Sequence, residues 1–207
     1  MEWGILVILL ILLFVSYTIV QETRAQLHWR NLVQGGDVEA IRTLLQNEIE
    51  HWHTSRVPRG TPALLWHGVQ TVELEDVDST GARLNCSAEG EYSLVQGKRI
   101  ETSSAVAEGM KITMKLAEMT LYDVPNVKLD RVQIDVYTAF RDNSGRSETR
   151  CILSTMVERE VVEHIDWEET SAPDFLTLTQ GRFAADGSGT IQAIEPIPWV
   201  EDATRSP

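Results

Sequence analysis

An uncharged, mostly aliphatic run at residues 3–20 constrains this chain more than any other feature. The run reads WGILVILLILLFVSYTIV. As an α-helix rising ~1.5 Å per residue it would extend roughly 27 Å, close to the thickness of the hydrocarbon layer of a bilayer. A helix satisfies its own backbone groups, and Trp3 and Tyr17 lie near its ends, where amphipathic rings favour the membrane interface. The run therefore predicts a transmembrane anchor over residues 1–20.

A cleaved signal peptide is the alternative interpretation of this run. Its apolar stretch is longer than the usual ~7–15 residues, and no Lys or Arg precedes it. The best cleavage candidate, at residues 23–25, fits the small-residue pattern poorly. An uncleaved anchor is the preferred interpretation.

Cations after the run indicate its orientation. Arg24 and Arg30 follow the run, and the flank richer in Lys and Arg tends to stay in the cytoplasm. The C-terminal domain is therefore expected to be cytoplasmic. Cys86 and Cys151 fit either a reduced pair in the cytosol or one disulfide outside it, and the sequence leaves that choice open.

The net charge of −13 belongs almost entirely to the aqueous part of the chain, since Glu2 is the only charged residue among the first twenty. An acidic surface repels phosphate groups, so no nucleic-acid partner is expected.

The expected organisation after the anchor is a juxtamembrane helical stalk over residues 21–36, an α+β domain over residues 37–195 and a tail over residues 196–207.

Apolar residues at three- and four-residue steps predict the clearest helix, which begins after Asp37 and ends before Pro58. Its apolar stripe consists of Val38, Ile41, Leu44, Leu45, Ile49 and Trp52. A second helix is predicted from a cap at Thr102 or Ser103 to about residue 122, with a strand over residues 111–116 as its alternative. Residues 158–167 are predicted to form a short helix.

Alternating apolar and polar residues predict a mainly antiparallel sheet. The strands are expected at residues 64–77, 82–94, 98–101, 129–141 and 147–157, with a small hairpin joining residues 175–183 to residues 190–194. Pairing of Arg141 with Arg146 would place Ile134 opposite Leu153 and Val136 opposite Cys151. The expected fold class is α+β: an N-terminal transmembrane helix, then one compact domain whose sheet packs against two or three helices.

No motif assigns catalytic, cofactor-binding or metal-binding residues. His51 and His53 are two residues apart on a helix and point roughly 200° away from each other, so they are unsuited to chelating one ion. The sequence contains no HExxH, CxxC, GxSxG or phosphate-binding loop. The order of elements is similar to that of restriction-endonuclease-like cores, but Lys98 follows Glu91 at the wrong spacing for their metal site.

These observations favour a single-pass membrane-anchored protein whose acidic α+β domain serves binding or assembly, with no catalysis and no cofactor of its own. Its expected partners are the lipid bilayer, through residues 3–20, and a protein. The alternative is a membrane-anchored domain that binds or hydrolyses a small ligand. Glu73, Asp76 and His67 form the least implausible polar cluster for that alternative.

Overall fold

The computed structural model describes residues 11–18, 21, 33, 35–141, 145–185 and 191–199. Residues 11–18 are helical and exposed. Among the described residues, no helix has both the length and the apolar character needed to cross a membrane. Residues 1–10 and 19–20 of the predicted anchor lie outside the described residues. The same holds for Trp29, Arg24 and Arg30 of the predicted stalk and its flank.

Helices and strands follow one another along the described chain, and the helices are numbered here from residue 35 onward. They are α1 (Val38–Thr54), α2 (Ala63–Val69), β1 (Glu73–Val77), β2 (Gly81–Ser87), β3 (Glu91–Val95), β4 (Lys98–Ser103), α3 (Ala105–Glu118), a π-helical turn (Met119–Asp123), β5 (Arg131–Arg141), β6 (Ser147–Glu158), α4 (Arg159–Val162), α5 (Ala172–Leu178), β7 (Arg182–Ala185) and β8 (Ile191–Gln192).

Helix α1 begins and ends where the sequence predicts. The Asp37 carboxylate accepts a hydrogen bond from the Ala40 N–H at 3.1 Å, which satisfies a free donor of the first turn. Ile41 and Leu45 are buried in the core. Trp52 is also buried, and its indole N–H donates to Glu48 at 3.1 Å, so its packing role is confirmed.

Helix α2 corrects the strand predicted from residue 64. Short apolar runs fit a buried strand and a buried helix equally well, so periodicity does not separate the two. Close packing between α2 and α3 depends on Gly68. A Cβ atom at this position would lie 2.1 Å from the Cδ1 atom of Ile112, so any larger residue would force that buried side chain to move.

The main sheet has the strand order β1-β2-β5-β6-β7-β8. Strands β2 and β5 are parallel and the other neighbours are antiparallel, so the α+β prediction with a mainly antiparallel sheet is confirmed. The single strand predicted over residues 82–94 is wrong, because this segment is not continuous. It breaks after Ser87, and its second part pairs with β4 in a separate two-stranded sheet.

The β5–β6 hairpin is confirmed, but its predicted register is wrong. Arg141 pairs with Ser147 rather than Arg146, and Ile134 pairs with Thr155. An irregularity at Val136 shifts the ladder by one further residue, because β6 contributes an extra residue at Ile152. Strand β6 lies between β5 and β7, away from an edge of the sheet.

The last third of the chain differs most from expectation. The helix predicted over residues 158–167 is only α4, and residues 172–178, expected in part as a strand, form α5. Ser171 explains why these residues are helical, because its hydroxyl caps α5 by accepting a hydrogen bond from the Asp174 N–H. The small hairpin exists as β7 and β8. Residues 196–199, assigned to the tail by sequence, lie against the domain, with Trp199 buried.

The side chains of β5 alternate between the two faces of the sheet. Val132, Ile134 and Val136 are fully buried in the apolar core. A Cβ atom on Gly109 of α3 would lie 3.1 Å from a Val136 methyl, which places this side of the sheet against the helix. Gln133 and Asp135 alternate with these residues, so they lie on the opposite side of the sheet, and yet they are fully buried too.

Candidate functional site

A buried polar network occupies the side of the sheet opposite α3. Asp135 accepts a hydrogen bond from Arg83 Nε at 2.9 Å and another from the Ser154 hydroxyl at 2.5 Å. Gln133 Nε2 lies 3.1 and 3.2 Å from the two Asp135 oxygens. The Asp135 side chain is completely shielded from solvent, and ion pairing with Arg83 offsets the free energy of burying its charge.

Residues 193–199, here named the C-terminal strap, cover this network. The Ile197 N–H donates to the Ser154 hydroxyl at 2.9 Å, and Gln133 Nε2 donates to the Ile197 carbonyl at 2.7 Å. Trp199 is 1% exposed, and the Arg131 guanidinium lies 5.3 Å from its ring centre. The Ser154 hydroxyl therefore both donates and accepts within a closed environment. We interpret the network as the attachment site of the strap rather than as a catalytic centre.

The two cysteines are free thiols, and both are buried. Burial, with the nearby Asp135 charge as the second cause, raises the pKa of Cys151 to about 11. The same causes raise the pKa of Cys86. Because the thiolate is the reactive form, neither residue has the low pKa and exposure of a catalytic or redox-sensing cysteine.

We expect the native protein to react very slowly with Ellman's reagent at pH 8, and both thiols to react after denaturation. A Glu163→Cys variant supplies the control, because residue 163 is exposed and its thiol should react at once. Reaction of the native thiols at the rate of that control would contradict the burial and the raised pKa values. The measurement is the release of the coloured thiolate with time.

The polar residues proposed from sequence lie in three different environments. Glu73 is exposed beside a groove of about 230 Å³, Asp76 pairs with Arg42 at 3.5 Å, and His67 is exposed on α2. His53 lies 2.7 Å from the carbonyl oxygen of Val72. In the described part of the chain, no group of three or more His, Cys, Asp or Glu side chains could hold a metal ion.

Strands β3 and β4 form a hairpin that stands apart from the main sheet, here named the hairpin arm (residues 91–103). Its turn uses Gln96 and Gly97, both with positive φ, as a tight two-residue turn requires. Four large apolar side chains of the arm are exposed: Tyr92 46%, Leu94 79%, Val95 48% and Ile100 47%. The only charged residues between positions 92 and 100 are Lys98 and Arg99, in a chain of net charge −13.

A cleft of about 750 Å³ lies beside the hairpin arm, here named the arm cleft. One wall is the arm, where Arg99 stacks over the Tyr92 ring at 3.9 Å. Residues 138–141 at the end of β5, Thr149 of β6, Ile191 of β8 and the start of α3 also border it. This cleft is bordered by both apolar and charged side chains.

Sequence reasoning predicted strand on both sides of residues 95–97, but it missed the separation of this hairpin from the main sheet and the arm cleft. The available signal was the cluster of apolar and basic residues around the Gln96-Gly97 turn, which indicates a hairpin but not its separation from the sheet. Comparisons with protein-family models, with curated proteins and with solved structures find no match.

Proposed function

We propose that this chain is a single-pass membrane protein whose acidic α+β domain binds or assembles with a protein partner in the cytoplasm. The helix of residues 3–20 would hold the domain at the bilayer. Arg24 and Arg30 after that helix support the orientation. The acidity of the remaining chain supports a domain that stands off an anionic membrane surface.

The hairpin arm is the observation that carries the binding part of the proposal. Isolated two-stranded hairpins are marginally stable in water, and exposed apolar edge strands promote association. An arm that keeps Leu94 79% exposed is therefore suited to a surface that a partner covers.

The position of the arm favours a partner away from the anchoring membrane. Gly36, where the chain enters the domain, lies against Ser79 in the β1–β2 turn. The arm follows Ser87, at the other end of β2, roughly 20 Å away for a strand of this length. The arm therefore projects from the end of the domain opposite the entry of the stalk.

Photo-crosslinking tests the binding part of the proposal. A photoreactive amino acid at position 94, in the full-length protein in its native membranes, is expected to give a discrete crosslinked product. The same amino acid at the exposed position 163 is the control and should give none. Equal crosslinking at the two positions, or none at position 94, would refute binding through the arm.

Membrane extraction tests the anchor separately. The wild-type protein should remain in the membrane pellet at alkaline pH. A Leu9→Arg/Leu12→Arg variant should be released from the pellet, since each central Arg opposes insertion by about 2.5–3.5 kcal/mol.

Cysteine labelling tests the orientation. Labelling of Glu163→Cys from only the outer side of intact cells would contradict the cytoplasmic orientation.

A further inference from the structure

Among the described residues, the end of β5 has a neighbouring strand on one side alone. Strand β2 pairs with β5 from Gly81 to Ser87, opposite Arg131 to Tyr137. The Ala88 N–H donates to the Tyr137 carbonyl at 2.9 Å, and the chain then turns away into the hairpin arm. Residues 138–141 continue to pair with β6, while their other edge borders the arm cleft.

Backbone groups of this edge point into the arm cleft. In a strand, the N–H and C=O groups of alternate residues point to the same side. The Tyr137 carbonyl points towards β2, because it accepts from Ala88. The N–H and C=O groups of Ala139 and Arg141 therefore point to that side as well, where β2 no longer runs. Such an edge is a template for one more strand.

The arm cleft has the size of a short strand. One residue of a sheet occupies ~160 Å³, from its rise of ~3.3 Å, the strand spacing of ~4.8 Å and the sheet spacing of ~10 Å. A volume of about 750 Å³ therefore accommodates about five extended residues. The edge offered by β5 is residues 138–141, which is a matching length.

The charges of the arm cleft favour an uncharged segment. Two carboxylates, Glu89 and Glu101, and two guanidinium groups, Arg99 and Arg141, border it and balance one another. Between them lie apolar side chains, including Phe140. A neutral segment with apolar side chains complements this lining better than a charged one, which would meet a like charge.

The described ends of the chain lie at the far end of β5. The C-terminal strap ends at Trp199, beside Arg131, the first residue of β5. Arg131 and Arg141 are roughly 33 Å apart along an extended strand. Gly36 also lies at that far end, against Ser79. Neither described end therefore reaches the arm cleft, and another molecule is the source that we consider for a strand that enters it.

We propose that the arm cleft is a strand-addition site that binds an uncharged extended segment of about five residues from a partner protein. The segment pairs with the backbone of Ala139 and Arg141, while the hairpin arm covers it from the other side. Strand addition takes its affinity from main-chain hydrogen bonds and its specificity from the pockets between them. This inference rests on the proposed function and names the kind of partner segment.

The test uses full-length protein in nanodiscs and a phage-displayed library of random peptides as the probe. Selected peptides are synthesised with a fluorophore, and their affinity is measured by anisotropy. Ala139→Pro removes the N–H that points into the cleft but no bond to β6. We expect it to weaken binding about tenfold or more, since a main-chain bond is lost and a carbonyl of the peptide is left without its donor.

Glu75→Pro is the matched control, because Glu75 is the exposed residue at the irregularity of β1, outside the cleft. It should bind the peptides as the wild type does. A second measurement does not depend on the folding of a variant. N-methylation of every second peptide residue should abolish binding when the methylated nitrogens face β5, and it should preserve binding when the intervening residues are methylated instead. Equal binding to Ala139→Pro and wild type, or equal effects of the two methylation patterns, would overturn the proposal.

The alternatives have distinct outcomes. If mass photometry shows a dimer of the chain that Ala139→Pro dissociates, the occupant is a second copy and the proposal of a separate partner is overturned. Failure to select any neutral extended peptide also counts against it. Crosslinking at position 94 without peptide binding would retain the proposed function and reject strand addition. The absence of both would reject the two together.

Discussion

Asp135→Ala is expected to lower the free energy of unfolding by about 3–5 kcal/mol, because it removes one partner of a buried ion pair. The Asp135 side chain is fully shielded, and the Arg83 side chain is 17% exposed. Without the carboxylate, the hydroxyl of Ser154 and the amide of Gln133 also lose an acceptor. The measurement is denaturant unfolding of the full-length protein in mild detergent.

Two control variants separate burial from charge. Asp135→Asn keeps the shape and one acceptor oxygen, so its loss should be smaller than that of Asp135→Ala. Glu148→Ala breaks a solvent-exposed ion pair with Arg150 and should leave the unfolding transition unchanged. If Asp135→Ala behaved like Glu148→Ala, the network would have no role in stability.

The parts of the fold that local signals specify could be predicted from the sequence. Helix α1 has an apolar stripe, an N-cap at Asp37 and Pro58 shortly after its end, and all three signals agree with one another. The β5–β6 hairpin was predictable from alternation in both strands. Its register was not, because the extra residue in β6 at Ile152 has no local signature.

The sites depend on tertiary contacts that no window of sequence contains. Gln133 and Asp135 alternate with apolar residues, as expected for a strand with one apolar face. They are buried because a segment 64 residues later, at Ile197, lies over Gln133. Pro196 and the polar residues after Trp199 are typical of a tail, and they mask the anchoring role of that tryptophan. The arm cleft likewise exists only because β2 ends before β5.

Trp199→Ala is expected to release the C-terminal strap and to lower the free energy of unfolding by up to about 3–5 kcal/mol, the usual loss for a buried large aromatic residue. The loss should fall at the lower end of that range. The indole Nε1 is buried and has no hydrogen-bond partner among the described residues, which already offsets part of the gain from burial. The strap can also detach locally, so the loss cannot exceed the free energy that docks it.

Limited proteolysis reports this release directly. Cleavage within residues 193–199 should be faster in Trp199→Ala than in the wild type, whereas Glu195→Ala, at an exposed strap position, should be cleaved at the wild-type rate.

The losses of unfolding free energy caused by Trp199→Ala and Asp135→Ala should be less than additive in the double variant. Asp135 orients Ser154 and Gln133, and those side chains hold the Ile197 backbone, so either variant alone releases part of the same contact. A coupling of about 0.5–3 kcal/mol is expected for such neighbours. Strict additivity would mean that the strap is held by Trp199 independently of the buried network.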